Sequence, residues 1–241
     1  MTACEVWWAA PGDARAGLEH LLDDDERARV RALQRPDDRA RATVAAALLR
    51  VAAGAWLDCA PAAVRVRRDC PRCGRPHGRP RLPGSGLEAS ISHAGGRVCV
   101  ALADGAPVGV DVEPARELDV AGLAGVALDA REAAAVRALA PAERAHGFLV
   151  LWTRKEALLK ALGCGLTVSP AEVGVSGPRQ SPRLEHWPPS AGPPRPATLR
   201  ALDAGRGHVA TLALLAPALQ VTTRDGARPL LDAGARTSRA C

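Results

Sequence analysis

Asp111 and Glu113 stand two residues apart in the run Val108-Gly109-Val110-Asp111-Val112-Glu113. On a strand, alternation sends both carboxylates to one face and Val110 and Val112 to the other. Two acids that close repel unless a proton or cation lies between them. Magnesium, or manganese in its place, suits such a pair. It takes hard oxygen ligands and commonly joins carboxylates to substrate phosphates. The competing reading is a strand end with two solvated acids. Further along, Trp152-Thr153-Arg154-Lys155-Glu156-Ala157-Leu158-Leu159-Lys160 supplies more chemistry. On a helix, Trp152, Glu156 and Lys160 fall at i, i+4 and i+8 and share a face. Glu156 is then a third metal ligand and Lys160 a point charge for a phosphate oxygen. Lys155, one residue off that stripe, reaches a second phosphate or the attacking group. The plainer alternatives are a surface ion pair between Glu156 and Lys160 and core packing for Trp152.

The two lysines of this run are the only lysines among 32 basic residues; the rest are arginines. Arginine presents a planar fork and lysine a compact ammonium, so the two do not substitute freely at a specific site. Their retention here marks a place where the ammonium is wanted.

Other residues fit a phosphate. Ser90-Ile91-Ser92-His93 ends a strand before Gly95-Gly96 and offers hydroxyl, imidazole and backbone N–H groups. Arg79 and Arg81, in Gly78-Arg79-Pro80-Arg81, can fork onto phosphate oxygens, and Arg39 and Arg41 open a helix nearby in sequence. Glu132 has two readings. It is a helix-capping carboxylate in Asp129-Ala130-Arg131-Glu132, or a general base on a helix returning over the site. Cys70-Pro71-Arg72-Cys73 with His77 has three ligand types for zinc, with Cys59 as a fourth, or it is a tight turn with incidental thiols.

These side chains need a frame. The pattern predicts a strand over 5–10, a helix over 18–33, a second helix capped at Asp37 or Asp38 and running through Val44, Leu48, Val51 and Ala55, and a short strand over 64–67. A Gly/Pro/Arg loop covers 69–86. Strands follow at 87–92, 97–102 and 108–112. Helices are predicted over 129–139 and 142–162, the second started by Pro141 and stopped by Gly163. Strands then recur at 173–175, 199–202 and 208–215, with a proline-rich loop over 178–196. The order suggests an α/β (α+β) fold of two similar subdomains, 1–105 and 106–217, with a frayed tail over 218–241.

The chain has 241 residues and a net charge of +6, which favours anionic partners without choosing among them. Residues 1–17 lack a basic segment followed by an apolar one, and no apolar run is expected to span a bilayer. The seven cysteines are odd in number and scattered, which argues for reduced thiols. The expectation is a cytoplasmic monomer with no membrane and no nucleic-acid partner. The rival is a basic nucleotide- or nucleic-acid-binding module, zinc-containing in one version, without catalysis. Acids beside a phosphate repel it unless a metal intervenes, and that counts against the rival.

Taken in order, Gly78-Arg79-Pro80, Ser90-Ile91-Ser92-His93, Gly109-Val110-Asp111-Val112-Glu113, and Trp152 to Lys160 followed by Gly163 and Gly165 resemble the 4′-phosphopantetheinyl transferases, specifically the larger type that activates surfactin-like peptide synthetases. The resemblance implies transfer of phosphopantetheine from coenzyme A to a serine hydroxyl of an acidic carrier domain of a polyketide, nonribosomal peptide or fatty acid synthase, releasing adenosine 3′,5′-bisphosphate. It implies a pseudo-twofold fold with coenzyme A in the cleft between the halves. It assigns Asp111, Glu113 and Glu156 to magnesium and Lys160 to the pyrophosphate. Arg79, Ser92 and His93, with Arg41, go to the adenosine 3′-phosphate. Glu132 becomes the base and Lys155 its orienting partner. Ala94 stands where a second serine is common, Arg29 and Arg79 replace lysines, and tyrosine is absent.

Overall fold

The computed structural model describes residues 2–70, 72–163, 167–189, 192, 195–217 and 219–235. Pro71, Cys164, Gly165 and Cys241 lie outside the described residues. In chain order the elements are β1 (Thr2–Ala9), α1 (Asp24–Ala32), α2 (Pro36–Leu57), β2 (Leu87–Ala94), β3 (Arg97–Asp104), β4 (Val108–Pro114), α3 (Val120–Ala127), α4 (Ala130–Arg137), α5 (Arg144–Leu162), β5 (Gly174–Val175), β6 (Leu184–His186), β7 (Thr198–Leu202), β8 (His208–Leu214), β9 (Leu219–Asp225) and α6 (Ala227–Ala235). The fold is mixed α/β. It divides into a unit of residues 3–105 with 220–241 and a unit of residues 106–219 with the first two residues.

In the first of these units a four-stranded sheet runs in the order β2-β3-β1-β9. β2 and β3 form an antiparallel hairpin closing at Ala94↔Arg97, and Gly95 takes the positive φ of 53° that the tight turn requires. α2 covers this sheet. Pro36 sits in its first turn, where a missing N–H costs nothing, and Val44, Leu48, Leu49 and Ala52 are fully buried against the strands. α2 is long and apolar enough, by length and composition, to cross a bilayer, contrary to the sequence expectation. Two thirds of its apolar window is nonetheless buried inside the protein, as in a core helix.

The predicted helix over 18–33 is broken. A short 3-10 turn covers Ala16–Leu21, and α1 starts afresh after Asp23, whose carboxylate accepts from Glu26 N at 2.8 Å while Glu26 returns to Asp23 N. The four consecutive acids Asp23–Glu26 suit a helix start, where this reciprocal cap and the helix dipole favour them, better than a helix middle. Glu26 is itself buried, 2.7 Å from Arg50 of α2. The predicted strand over 64–67 reduces to a single bridge, Arg67↔Arg81.

The tail expectation is corrected as well. Residues 219–225 add a strand beside β1, and Arg224 meets Glu5 at 3.0 Å. α6 follows, with Leu230 fully buried in the same core as α2. The pattern was hidden because α6 buries only Leu230 and Ala233.

In the unit of residues 106–219, β4, β8 and β7 form an antiparallel sheet in that order, and α5 packs across β4 and β8. Leu151, Leu158 and Ala157 of α5 are fully buried in the second core, with Phe148 nearly so. Gly163 ends α5 in the left-handed conformation, φ 71°. α3 and the small β5–β6 hairpin were not expected. β6 lies inside the stretch whose prolines suggested only loop.

Candidate active site

Gly109 decides how closely β4 meets α5. A methyl group placed on it would lie 1.9 Å from the Ala157 carbonyl oxygen and 2.5 Å from the Ala161 nitrogen. Strand and helix therefore touch backbone to backbone at this point. That contact sets the distance between the acids that follow on β4 and the polar residues of α5.

Those polar residues form a stripe. From Leu151 to Ala161, α5 is buried except at Trp152, Glu156 and Lys160, the i, i+4, i+8 series. Trp152 stacks on Phe148 one turn earlier, with ring centroids 6.3 Å apart and 12° between planes. Its indole N–H donates to Glu113 Oε1 at 3.3 Å. Lys160 Nζ donates to Asp111 Oδ1 at 2.6 Å and to the Val110 carbonyl at 3.2 Å. Helix and strand thus share three polar contacts on one side of their common core.

The charges are mutually felt. Burial, then the charge of Asp111, pushes the Glu113 carboxyl above its usual range, opposed by the Trp152 N–H, Arg116 and Lys160. Burial and then Asp111 push Glu156 the same way, with Glu113 adding to the rise and Lys160 opposing it. Three hard-oxygen donors with an excess of negative charge suit a divalent cation in kind. Their side chains are spread rather than gathered. Among the described residues, three ligating atoms lie within 4.8 Å of one another at Cys70, Cys73 and His77, while Asp111 is turned to Lys160 and Glu113 to Trp152. Lys160, expected on a phosphate, here neutralises Asp111.

Lys155 leaves the stripe and goes inward. It is fully buried, 2.5 Å from Glu132 Oε2, and donates to the Pro170 carbonyl at 2.9 Å. Glu132 is equally enclosed. Its Oε2 accepts from Asp129 N at 2.9 Å and its Oε1 from Val175 N at 2.9 Å, while Asp129 returns the cap to Glu132 N at 2.7 Å. Of the two readings of Glu132, capping is the one displayed in this geometry, and no oxygen of it lies open to an incoming hydroxyl. The Lys155 ammonium is pushed down by burial and held up by Glu132.

The residues assigned to the adenosine 3′-phosphate belong to the other unit. Arg41 donates to the Gly95 carbonyl at 3.1 Å and pairs with Asp38, which brings it to the turn that follows His93. His93 is exposed and Ser92 buried on β2. Arg79 pairs with Glu88 and donates to the Ala89 carbonyl at 3.3 Å; burial lowers its pKa. Arg29 donates to the Pro76 carbonyl at 2.5 Å. Cys59, expected as a fourth zinc ligand, does not join the cluster of Cys70, Cys73 and His77.

Sequence reasoning missed three supports. Thr153 and Thr211 share a buried hydroxyl contact of 3.1 Å between α5 and β8, and Thr211 is the cross-strand partner of Asp111. Arg154, buried on α5, donates to carbonyls of Ser176, Gly177 and Gln180 at 2.7–2.9 Å and pins the segment between β5 and β6. Burial draws its pKa down to about 10. Gly109 carried a legible signal, since a glycine inside a strand marks close backbone approach.

Residues 107–213, which hold the acids of β4 and all of α5, match the model of the 4′-phosphopantetheinyl transferase superfamily. The match takes in 107 of the 241 residues. Over 150 residues the chain is 32% identical to the 4′-phosphopantetheinyl transferase HetI of Nostoc sp. strain PCC 7120, covering 62% of each protein. Over 166 residues it is 28% identical to slr0495 of Synechocystis sp. strain PCC 6803, provisionally named a 4′-phosphopantetheinyl transferase, covering 66% of this chain and 65% of that one. The alignments therefore span less than two thirds of the length of either curated relative. The surfactin-synthetase-activating type is a finer division than these matches reach.

Proposed function

We propose that the chain transfers 4′-phosphopantetheine from coenzyme A to a serine hydroxyl of a carrier protein. The serine oxygen forms a bond to the phosphorus bearing the pantetheine, its proton passes to a base, and the bond from that phosphorus to adenosine 3′,5′-bisphosphate breaks. The observation that carries this reading is the half-open stripe of Trp152, Glu156 and Lys160, joined to the acids of β4 at Asp111 and Glu113. It lies within the segment that matches the superfamily.

Asp111, Glu113 and Glu156 would hold magnesium, or manganese, by carboxylate oxygens. Such an ion, when bound, neutralises pyrophosphate charge and stabilises the leaving group. Lys160, now paired with Asp111, would supply an ammonium for a phosphate oxygen of the pyrophosphate. Arg41, Arg79, Ser92 and His93 have the donor types for the adenosine 3′-phosphate. Glu132 and Lys155 are assigned a positioning role. They lock α4 and α5 to the Pro170 and Val175 backbone, so that the stripe is presented rigidly. The partner is taken to be an acidic carrier domain, in keeping with the net charge of +6. The larger, surfactin-type architecture with coenzyme A between two halves and a cytoplasmic, monomeric state belong to the same proposal.

Incubation of a carrier domain with coenzyme A, magnesium and this chain, read by mass spectrometry, tests it. Addition of one phosphopantetheine is expected, with Asp111→Ala folded and inactive. A folded wild-type chain that modifies no member of a panel of polyketide, peptide and fatty acid carriers would overturn the reading.

A further inference from the structure

The loop between α2 and β2 is built like a clip. Its base is an antiparallel bridge in which Arg67 N donates to the Arg81 carbonyl at 3.0 Å and Arg81 N to the Arg67 carbonyl at 2.8 Å. Gly78 N donates to the Arg68 carbonyl at 2.6 Å, and a methyl group on Gly78 would lie 2.7 Å from the Asp69 carbonyl, so the two limbs cross in contact. In the head of the clip, Cys70 N donates to the Arg75 carbonyl and Gly74 N to the Cys70 carbonyl, at 2.9 and 2.8 Å. Gly74 has a φ of 69°, the left-handed turn that folds Cys73 and His77 back toward Cys70.

This head has no core of its own. Residues 72–75 are exposed, and so is His77. A segment that buries so little apolar surface is not held by the hydrophobic effect, and short folds of this kind rely on a crosslink. The ligating atoms of Cys70, Cys73 and His77 lie within 4.8 Å of one another, with Cys73 Sγ 3.0 Å from His77 Nε2. A tetrahedral zinc ion with Zn–S of about 2.3 Å holds its ligand atoms roughly 3.5–4 Å apart, so small side-chain adjustments suffice. The backbone N–H groups of Arg72 and Cys73 bond to the Cys70 sulfur, the arrangement that favours a thiolate ligand.

We propose that Cys70, Cys73 and His77 form a structural site for a zinc-class divalent metal ion, with the fourth position open to water. Two thiolates and an imidazole select a borderline-soft metal over magnesium, so this site and the acids of β4 and α5 take different ions. The ion ties the head of the clip, and through it fixes the limb that carries Arg79 and the Pro76 carbonyl to which Arg29 donates. The site stands on the geometry of the loop and does not depend on the transferase reading.

The test uses the full chain, purified reduced and metal-free, titrated with Co2+ and then Zn2+. One Co2+ per chain is expected, with thiolate-to-cobalt charge-transfer bands in the near ultraviolet and strong visible bands of tetrahedral cobalt, both lost when an equivalent of Zn2+ is added. Cys73→Ser and His77→Ala should each weaken binding at least about 10-fold, while Cys59→Ser leaves it unchanged. Hydrogen exchange across residues 67–81 of the wild-type chain should slow when zinc is added, a readout that needs no variant to fold. Absence of thiolate bands in the reduced chain, bands undiminished in Cys73→Ser, their loss in Cys59→Ser, or exchange unaffected by zinc would each overturn the proposal.

Discussion

Lys155 of α5 lies 2.5 Å from Glu132 of α4, with neither side chain reaching solvent. Each also holds a backbone group outside the two helices, at Pro170 and Val175. Removing one member leaves the other charged and enclosed. Lys155→Ala and Glu132→Ala should each cost about 3–5 kcal/mol in urea unfolding. The apolar double variant Lys155→Met/Glu132→Leu should lose less than either single change. Transfer by Glu132→Gln should keep the pH profile of the wild type if the residue positions and does not accept the proton.

Glu113 and Glu156 have folded-state pKa values raised above the ordinary carboxyl value of 4.5. The folded chain then binds more protons than the unfolded one in that window. Their contribution to stability is most favourable below 4.5 and is lost as pH rises through the raised values. At neutral pH without divalent ions, Glu113→Gln/Glu156→Gln should therefore exceed the wild type in stability. The gain should be within about 1 kcal/mol, because both groups are partly solvated. The gain should shrink toward acid pH, and magnesium should raise the wild-type melting temperature and not the variant's. Thermal melts across pH with and without chelator read all three effects.

Gly109→Ala would drive a methyl group into the Ala157 carbonyl. β4 and α5 must part, at a cost of about 1–3 kcal/mol or more, and Asp111 must move off Lys160. Gly96→Ala, where a methyl group meets nothing within 4 Å, is the matched control and should be neutral. Denaturant midpoints compare the two. Transfer should fall in the first by more than its stability loss explains.

Much of this site was legible because helical spacing and strand alternation are geometric. The series Trp152, Glu156, Lys160 needs only 3.6 residues per turn, and the burial of α5 follows it residue by residue. The inward turn of Lys155 could not be read from spacing. One position off the stripe, it could face solvent or core, and only the place of Glu132 in α4 decides that. The break at Asp23 was hidden by the apolar residues on both sides of it. β6 was hidden by prolines, and β9 and α6 by a polar, basic composition, because pairing partners far along the chain outweigh local preference.

Arg154 gives one side chain to three carbonyls between β5 and β6. Arg154→Met keeps the apolar stem and removes the donors. Stability should drop about 2–3 kcal/mol, and amide exchange over residues 176–183 should quicken ahead of that in β4 or β8. Equal acceleration everywhere would mean that the arginine serves the whole unit and not this segment.

β9 pairs with β1, and Gly226 N donates to the Trp8 carbonyl at 2.7 Å. On the ribosome this reverses the usual timetable. Residues 106–219 emerge with every strand of their own sheet, while β1, made before them, waits for its last neighbour until they have been synthesised. A premature stop before residue 219 would leave the outer side of β1 as a bare edge, inviting another nascent chain to dock there.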